Sequence, residues 1–148
     1  MDDFLPADIE YSILVRAAPE RVYDAIATAD GLDAWFTSGT ELDARPGGSI
    51  CFRWKKWGPQ RVTSEDGGPV LAAERPHRFV FQWRPDNITY FTTVTITLRA
   101  VDEGTVVDLR ESGYHNSVEG LRAMLNCAAG WGEALALMKF YVEHGVRY

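Results

Sequence analysis

The chain has 148 residues, of which 46% are hydrophobic and 24% are charged, and its formal net charge is −6 at pH 7. This composition is typical of a globular protein, and the length fits one domain over residues 1–148, so extended disorder is excluded. The acidic balance, with no stripe of Lys and Arg among aromatic residues, disfavours contact with a phosphate backbone, so we expect no nucleic-acid partner.

The sequence lacks targeting, membrane and cofactor signals. No apolar run approaches about 18 residues and the first ten residues are unlike a signal peptide, so we expect a cytoplasmic protein that does not enter membranes. His77, His115 and His144 are scattered without metal-ligand spacing, so neither a metal nor another cofactor is predicted. Cys51 lies in a strand pattern and Cys127 in a helix pattern, which favours two reduced, buried thiols.

The first third of the chain predicts one strand and two short helices. Residues 9–17 alternate between apolar and polar side chains, as in a strand with one buried face. Pro19 and Glu20 suit the first turn of a helix, which Gly31 is predicted to end. Residues 32–36 predict a second helical turn.

The middle of the chain predicts about six mainly antiparallel strands separated by turns. The segments with the clearest strand pattern are 50–57, 79–84, 90–100 and 105–112, and a short strand is predicted at 41–44. Between residues 60 and 76 the pattern is less regular. There we predict local pairing at 61–63, a loop at 65–68 and a weak strand at 70–74.

The longest predicted element is a helix over residues 117–144. Apolar residues recur along it every three or four positions, namely Leu121, Met124, Leu125, Ala128, Trp131, Leu135, Met138 and Val142. Asn116 or Ser117 can cap its start, and Gly145 suits its end. At about 1.5 Å per residue the helix is roughly 40 Å long, so we expect it to pack across a sheet as the main element of the core.

Two glycines interrupt this helix on either side of Trp131. Gly130 and Gly132 each destabilise a helix by about 1 kcal/mol relative to alanine, so each needs a compensating reason. One interpretation is close packing around Trp131. The other is that the small residues leave room for a bound molecule.

These elements predict an α+β fold of the helix-grip type. An antiparallel sheet with one apolar face buries that face against another element, and the long C-terminal helix is the candidate partner. The sheet then wraps around that helix, and the two short helices follow the first strand.

A series of short motifs along the chain resembles the successive landmarks of one family. The motifs are Ala18-Pro19-Glu20-Arg21-Val22-Tyr23, Leu32, Trp35-Phe36, Arg45-Pro46-Gly47-Gly48, Phe79-Val80-Phe81-Gln82-Trp83, Gly104-Thr105 and Gly130-Trp131. They are similar to those of homologues of the heat shock protein 90 ATPase activator, in the START-like (SRPBCC) superfamily. The resemblance extends over about residues 9–144 and implies a helix-grip with a cavity between helix and sheet.

Large aromatic residues and small helix residues together are typical of an apolar pocket. The candidates for ligand contact are Trp35, Phe36, Phe79, Phe81, Trp83, Met124, Ala128, Trp131 and Leu135. The alternative is that these residues simply form the core. With the resemblance, they favour a protein that binds a small hydrophobic or amphipathic molecule without turnover. The family name also implies another possible function, that of an interaction module that stimulates a chaperone ATPase.

Glu111, Tyr114 and His115 are weak candidates for catalysis. Strand alternation points Glu111 inward at the strand end, so a carboxylate, a phenol and an imidazole at a cavity mouth could act as an acid/base set. Such a set would suit a cyclase/dehydratase-like enzyme of the kind found elsewhere in the superfamily. Alternatively, Glu111 pairs with Arg53 or Arg122 or reaches solvent, and His115 is a surface residue.

Arg53 and Lys55 lie on one face of the strand at 50–57. Strand alternation puts Cys51 and Trp57 on the same face. If that face points inward, the two cations could hold a ligand carboxylate. The opposite face, with Ile50, Phe52 and Trp54, is more apolar, so we predict that Arg53 points outward.

Overall fold

The computed structural model describes residues 3–148 as one antiparallel sheet packed against helices. The strands are β1 (Ile9–Val15), β2 (Glu41–Leu42), β3 (Ser49–Trp57), β4 (Val62–Glu74), β5 (Arg78–Trp83), β6 (Thr92–Val101) and β7 (Gly104–Ser112). The helices are α1 (Pro19–Ile26), α2 (Ala29–Trp35) and α3 (Val118–His144), and a 3-10 turn (Pro85–Asn87) follows β5. Across the sheet the order is β1-β7-β6-β5-β4-β3-β2, and α1 and α2 both contact α3. The predicted helix-grip is confirmed.

The ends of α3 follow from its capping residues. The Ser117 hydroxyl accepts a hydrogen bond of 2.9 Å from the backbone N–H of Gly120, as expected for an N-cap. Gly145 ends the helix in the left-handed conformation, at φ 70°. The Arg21 guanidinium donates a bond of 2.7 Å to the carbonyl of Val142, near the negative end of the helix dipole. No helix in the described part of the chain is long and apolar enough to cross a membrane.

The buried face of α3 differs from the predicted one in its first half. Leu121 and Leu125 are 44% and 60% exposed, so the prediction that they face the sheet is wrong. The buried residues are Gly120, Ala123, Trp131, Ala134, Leu135, Met138 and Val142. In the first turns this face carries small residues, which give a weak hydrophobic signal. A helix turns about 100° per residue, so the larger leucines of the neighbouring face dominated the pattern.

The junction between α1 and α2 lies three residues earlier than predicted. Gly31, predicted to end the first helix, lies inside α2. Thr28 starts α2, because its hydroxyl accepts a bond of 3.0 Å from the Gly31 N–H. A side chain at Gly31 would meet the carbonyl oxygen of Asp24, so this glycine permits close packing of the two helices.

The predicted loop at residues 65–68 is wrong, because these residues lie inside β4. In the sequence, the pair Gly67-Gly68 is typical of a turn. In the sheet they allow a close approach of backbones, since a Cβ atom would meet the carbonyl oxygen of Ile50 at Gly67 and of Gln82 at Gly68. The strand therefore continues through both glycines and carries its side chains past the site described below.

Strand β3 contains a bulge that reverses one prediction. Arg53 points outward as predicted, where its guanidinium pairs with the Glu41 carboxylate at 3.0 Å. Trp57, predicted on the same face, instead packs against Phe36 on the inner side at 5.6 Å between ring centroids. The register shifts between Trp54 and Trp57, and Lys56 has φ 51°. The extra residue of a bulge breaks the alternation of faces, which places Trp57 inward.

Candidate functional site

A cavity of about 570 Å³ lies between α3 and the β3–β4 side of the sheet. Its lining comes from α3 at residues 126–133, from β3 and β4, and from the chain at residues 83–87. Pockets that bind small molecules measure roughly 300–1,000 Å³, so the space is large enough for a ligand.

Aromatic side chains form one wall of this cavity. We call Phe36, Trp54, Trp57, Trp83 and Trp131 the aromatic wall. The ring centroids of four of them form a closed circuit, with 5.4 Å from Phe36 to Trp54, 6.0 Å from Trp54 to Trp83, 5.4 Å from Trp83 to Trp131 and 5.9 Å back to Phe36. The ring of the fifth, Trp57, lies 5.6 Å from that of Phe36. Four of the five tryptophans of the chain therefore line the cavity.

The two glycines of α3 have different roles. A Cβ atom on Gly130 would meet nothing within 4 Å, and this glycine borders the cavity. A Cβ atom on Gly132 would lie 3.1 Å from the hydroxyl oxygen of Tyr11, which itself donates a hydrogen bond to the carbonyl of Ala128. Gly130 thus leaves open space, whereas Gly132 permits close packing.

Glu111 is fully buried at the end of β7 and accepts three hydrogen bonds on one oxygen. Its Oε2 atom accepts from the indole N–H of Trp83 at 2.9 Å, from the hydroxyl of Thr92 at 2.5 Å and from the hydroxyl of Tyr114 at 2.9 Å. The expectation that Glu111 lies at a cavity mouth is therefore wrong.

The other oxygen of Glu111 is bound by α3. Its Oε1 atom accepts from the indole N–H of Trp131 at 2.9 Å and from the thiol of Cys127 at 3.2 Å. All five donors are neutral, so hydrogen bonds, not an arginine, hold this carboxylate, and the expected pairing with Arg53 or Arg122 is wrong. Because two of the donors belong to the aromatic wall, Glu111 fixes the orientation of their indoles.

Tyr114 and Cys127 act here as hydrogen-bond donors. Burial raises the pKa of Tyr114 well above its ordinary value, and the neighbouring Cys127 and Glu111 raise it further. Burial also raises the pKa of the Cys127 thiol, and the charge of Glu111 adds to the effect. Both groups keep their protons at neutral pH. Cys51 and Cys127 are free and half-buried.

His115 lies apart from this cluster. Its side chain is exposed and its ring stacks on Tyr90, with 3.4 Å between centroids and 7° between planes. Its backbone N–H donates a bond of 3.0 Å to the Tyr90 hydroxyl. The structure therefore brings Glu111 and Tyr114 together but leaves His115 on the surface.

The predicted ligand contacts divide between the cavity and the core. Phe36, Trp83 and Trp131 line the cavity. The core holds Trp35, Phe79, Phe81 and Leu135, whereas Met124 and Ala128 are half-buried beside it and do not line the cavity. A role in ligand binding stays a prediction for all nine residues.

Sequence reasoning missed Trp54, Trp57 and Asp66 as residues that line the cavity. The bulge concealed Trp57, and the wrongly predicted loop concealed Asp66. The Oδ1 atom of Asp66 accepts from the backbone N–H groups of Gly67 at 2.7 Å and Arg84 at 3.0 Å. Within residues 3–148, Asp66 Oδ2 and the indole nitrogen of Trp57 are the two buried side-chain polar atoms that have no hydrogen-bond partner.

Burial raises the pKa of Asp66. The charge of Glu111 raises it further, while the N–H groups of Arg84 and Gly67 and the charge of Arg84 oppose the shift. No group of three or more His, Cys, Asp or Glu side chains in the described part of the chain is arranged to hold a metal ion.

Comparison with known protein families identifies the family of this chain. The family described as "Activator of Hsp90 ATPase homolog 1-like protein" matches residues 16–143. The chain belongs to this family. A comparison with curated proteins found no match.

Several solved structures are similar to this chain in fold. The solution structure of the Aha1 dimer from Colwellia psychrerythraea is 23% identical, has a TM-score of 0.77 and covers 94% of this chain and 98% of its own. A crystal structure from Rhodobacter sphaeroides is 24% identical and has a TM-score of 0.78, and the match covers 95% of this chain and 98% of that protein. One from Staphylococcus saprophyticus is 22% identical, has a TM-score of 0.76 and covers 96% of both chains. These likenesses show the helix-grip fold.

Proposed function

We propose that this activator homologue binds a small apolar or amphipathic molecule in the cavity, without turnover, in the cytoplasm. The observation that carries the proposal is an open space of about 570 Å³ with an aromatic wall on one side and Gly130 on another. A packed core fills such space, because interiors reach the density of organic crystals. Here Trp54 and Trp57, the two half-buried members of the wall, border space that a ligand could occupy.

The unpaired polar atoms support the same proposal. A buried polar group without a hydrogen bond destabilises a fold by about 1–3 kcal/mol. Trp57 supplies an unpaired donor and Asp66 an unpaired acceptor, and both side chains line the cavity. Both atoms are shielded by their neighbours, so a ligand with one acceptor and one donor would satisfy them once the two side chains rotate towards it.

The cyclase/dehydratase alternative has less support. A general base must reach the proton that it abstracts. Glu111 is fully buried and both of its oxygens are occupied by donors, while His115 lies on the surface. This arrangement suits a residue that positions the wall better than one that reacts.

Titration with a neutral fluorescent probe tests the proposal. N-phenyl-1-naphthylamine should bind the wild-type protein and quench its tryptophan emission by energy transfer. Gly130→Phe should abolish uptake because the added ring fills the cavity, whereas Gly130→Ala, which adds only one carbon, should retain it. Thermal unfolding of both variants checks that they fold. Equal uptake by Gly130→Phe and Gly130→Ala, or no uptake by the wild type, would overturn the proposal.

A second candidate function is stimulation of a chaperone ATPase. The family description names this activity, and α3 exposes an apolar stripe formed by Val118, Leu121 and Leu125, which are 69%, 44% and 60% exposed. Exposed apolar stripes are typical of contact surfaces. A chaperone ATPase assay with the wild type and Leu125→Glu tests it. Stimulation that Leu125→Glu reduces supports this candidate, and an unchanged ATPase rate with the wild type excludes it.

A further inference from the structure

The lining of the cavity has an excess of negative charge. Its charged residues are the carboxylates Glu65, Asp66, Asp86 and Glu133 and the guanidinium of Arg84. The guanidinium lies over the ring of Phe91, 4.7 Å from its centroid. Four carboxylates and one guanidinium leave three negative charges in excess, which disfavours an anionic ligand.

Asp66 differs from the other three carboxylates. Glu65, Asp86 and Glu133 are exposed, and two of them have partners: Glu65 pairs with Arg53 at 3.3 Å, and Asp86 accepts from Asn126 at 3.3 Å. Asp66 is half-buried, and its Oδ2 atom is shielded and unpaired. A charge removed from water interacts strongly with an opposite charge nearby, because the local dielectric constant is low.

The aromatic wall favours the same sign of ligand charge. The face of an aromatic ring attracts cations, and tryptophan does so most strongly. Four indoles and one phenyl ring form the wall, and none of them carries a charge that would repel a cation. Apolar surface, ring faces and the side chain of Asp66 thus line one space, with the unpaired oxygen of Asp66 shielded beside it.

We propose that the cavity selects a protonated amine on an aromatic or apolar body, and that Asp66 sets this preference. The inference rests on the proposed binding function and specifies its ligand class. The Asp66 side chain turns its carboxylate towards the ammonium group, and the apolar body lies against the aromatic wall.

Three probes with the same naphthyl body separate charge from shape. They are 1-naphthylmethylamine, which is cationic at pH 7, neutral 1-naphthylmethanol and anionic 1-naphthaleneacetate, each titrated by calorimetry. We expect the amine to bind about tenfold more tightly than the alcohol, and the acetate to bind least. Added NaCl should weaken binding of the amine only, because salt screens the charge.

Two variants assign the preference to a residue. Asp66→Asn should remove the advantage of the amine, so that amine and alcohol bind with similar affinity, because the amide keeps the shape of the side chain and loses its charge. Glu103→Gln, an exposed carboxylate in the β6–β7 hairpin, removes the same charge outside the cavity and should change neither affinity.

Each outcome supports or overturns a different statement. Equal wild-type affinities for amine and alcohol, or tightest binding of the acetate, overturn the inference and leave the proposed binding function standing. No binding of any probe overturns both. If Asp66→Asn keeps the amine preference, the assignment to Asp66 is wrong. If that variant fails to fold, the wild-type ratio of amine to alcohol affinity and its salt dependence still decide the charge preference.

Discussion

Each oxygen of Glu111 receives an indole N–H, which can donate but never accept. The NH₂ group of an amide at this position would therefore face the indole N–H of Trp83 in one orientation and that of Trp131 in the other, so one pair of donors would always meet. We expect Glu111→Gln to lower the free energy of unfolding by roughly 3 kcal/mol. Urea unfolding measures the loss, with Glu103→Gln as an exposed control. A loss equal to that of the control would show that the cluster contributes little.

Asp66 should make stability depend on pH. Because burial raises its pKa above the ordinary value of 3.8, the folded protein holds this proton where the unfolded chain has lost it. The favourable contribution is present at low pH and is lost as pH rises from 3.8 through the raised pKa.

Asp66→Asn removes this titration while Arg84 and Glu111, the charged groups that act on it, stay in place. The measured quantity is the difference in free energy of unfolding, Asp66→Asn minus wild type. This difference should increase as pH rises through this interval and become constant above it. Urea unfolding of both proteins at several pH values measures the difference. A difference that stays constant or decreases as pH rises would contradict the account.

At the scale of single residues, the sequence predicts what local pattern determines. The inward direction of Glu111 followed from strand alternation, and the residue types at 116 and 117 predicted an N-cap there, which Ser117 provides. The partners of Glu111 come from β5, β6, α3 and the turn before it, and no local pattern specifies such a convergence.

At the scale of elements, the two glycines of α3 make a matched pair. Gly130→Ala should stabilise the protein by about 1 kcal/mol, because alanine favours a helix and the new carbon meets open space. Gly132→Ala should be less stable than Gly130→Ala, because its new carbon presses on the Tyr11 hydroxyl. Thermal unfolding of the two variants measures the contrast. Equal gains would show that both sites are equally open.

Two elements show why the site was only partly predictable. The length and both ends of α3 could be predicted, since periodicity and capping residues are local signals. The bulge in β3 and the course of β4 through Gly67 and Gly68 depend on neighbouring strands, so the sequence of each strand alone misplaced Trp57 and Asp66. The residues that distinguish a cavity from a core therefore appear only in the assembled sheet.

At the scale of the whole molecule, the order of elements predicted the architecture. Once the chain contains a strand, two short helices, six further strands and a long helix, burial of the apolar face of the sheet leaves the long helix as its partner. How completely the helix fills the concave face depends on side-chain sizes along both elements. Gly130 and the aromatic wall leave the space open at one end of the sheet.

The indole N–H signals of the five tryptophans give the most direct test of the cavity. Trp54, Trp57, Trp83 and Trp131 line it, whereas Trp35 donates its N–H to the carbonyl of Ala25 at 2.8 Å in the core and serves as an internal control. In ¹H–¹⁵N NMR spectra, saturation with neutral 1-naphthylmethanol should shift the four cavity signals and leave that of Trp35 in place. Five unchanged signals, or a shift of Trp35 as large as the others, would contradict binding in this cavity.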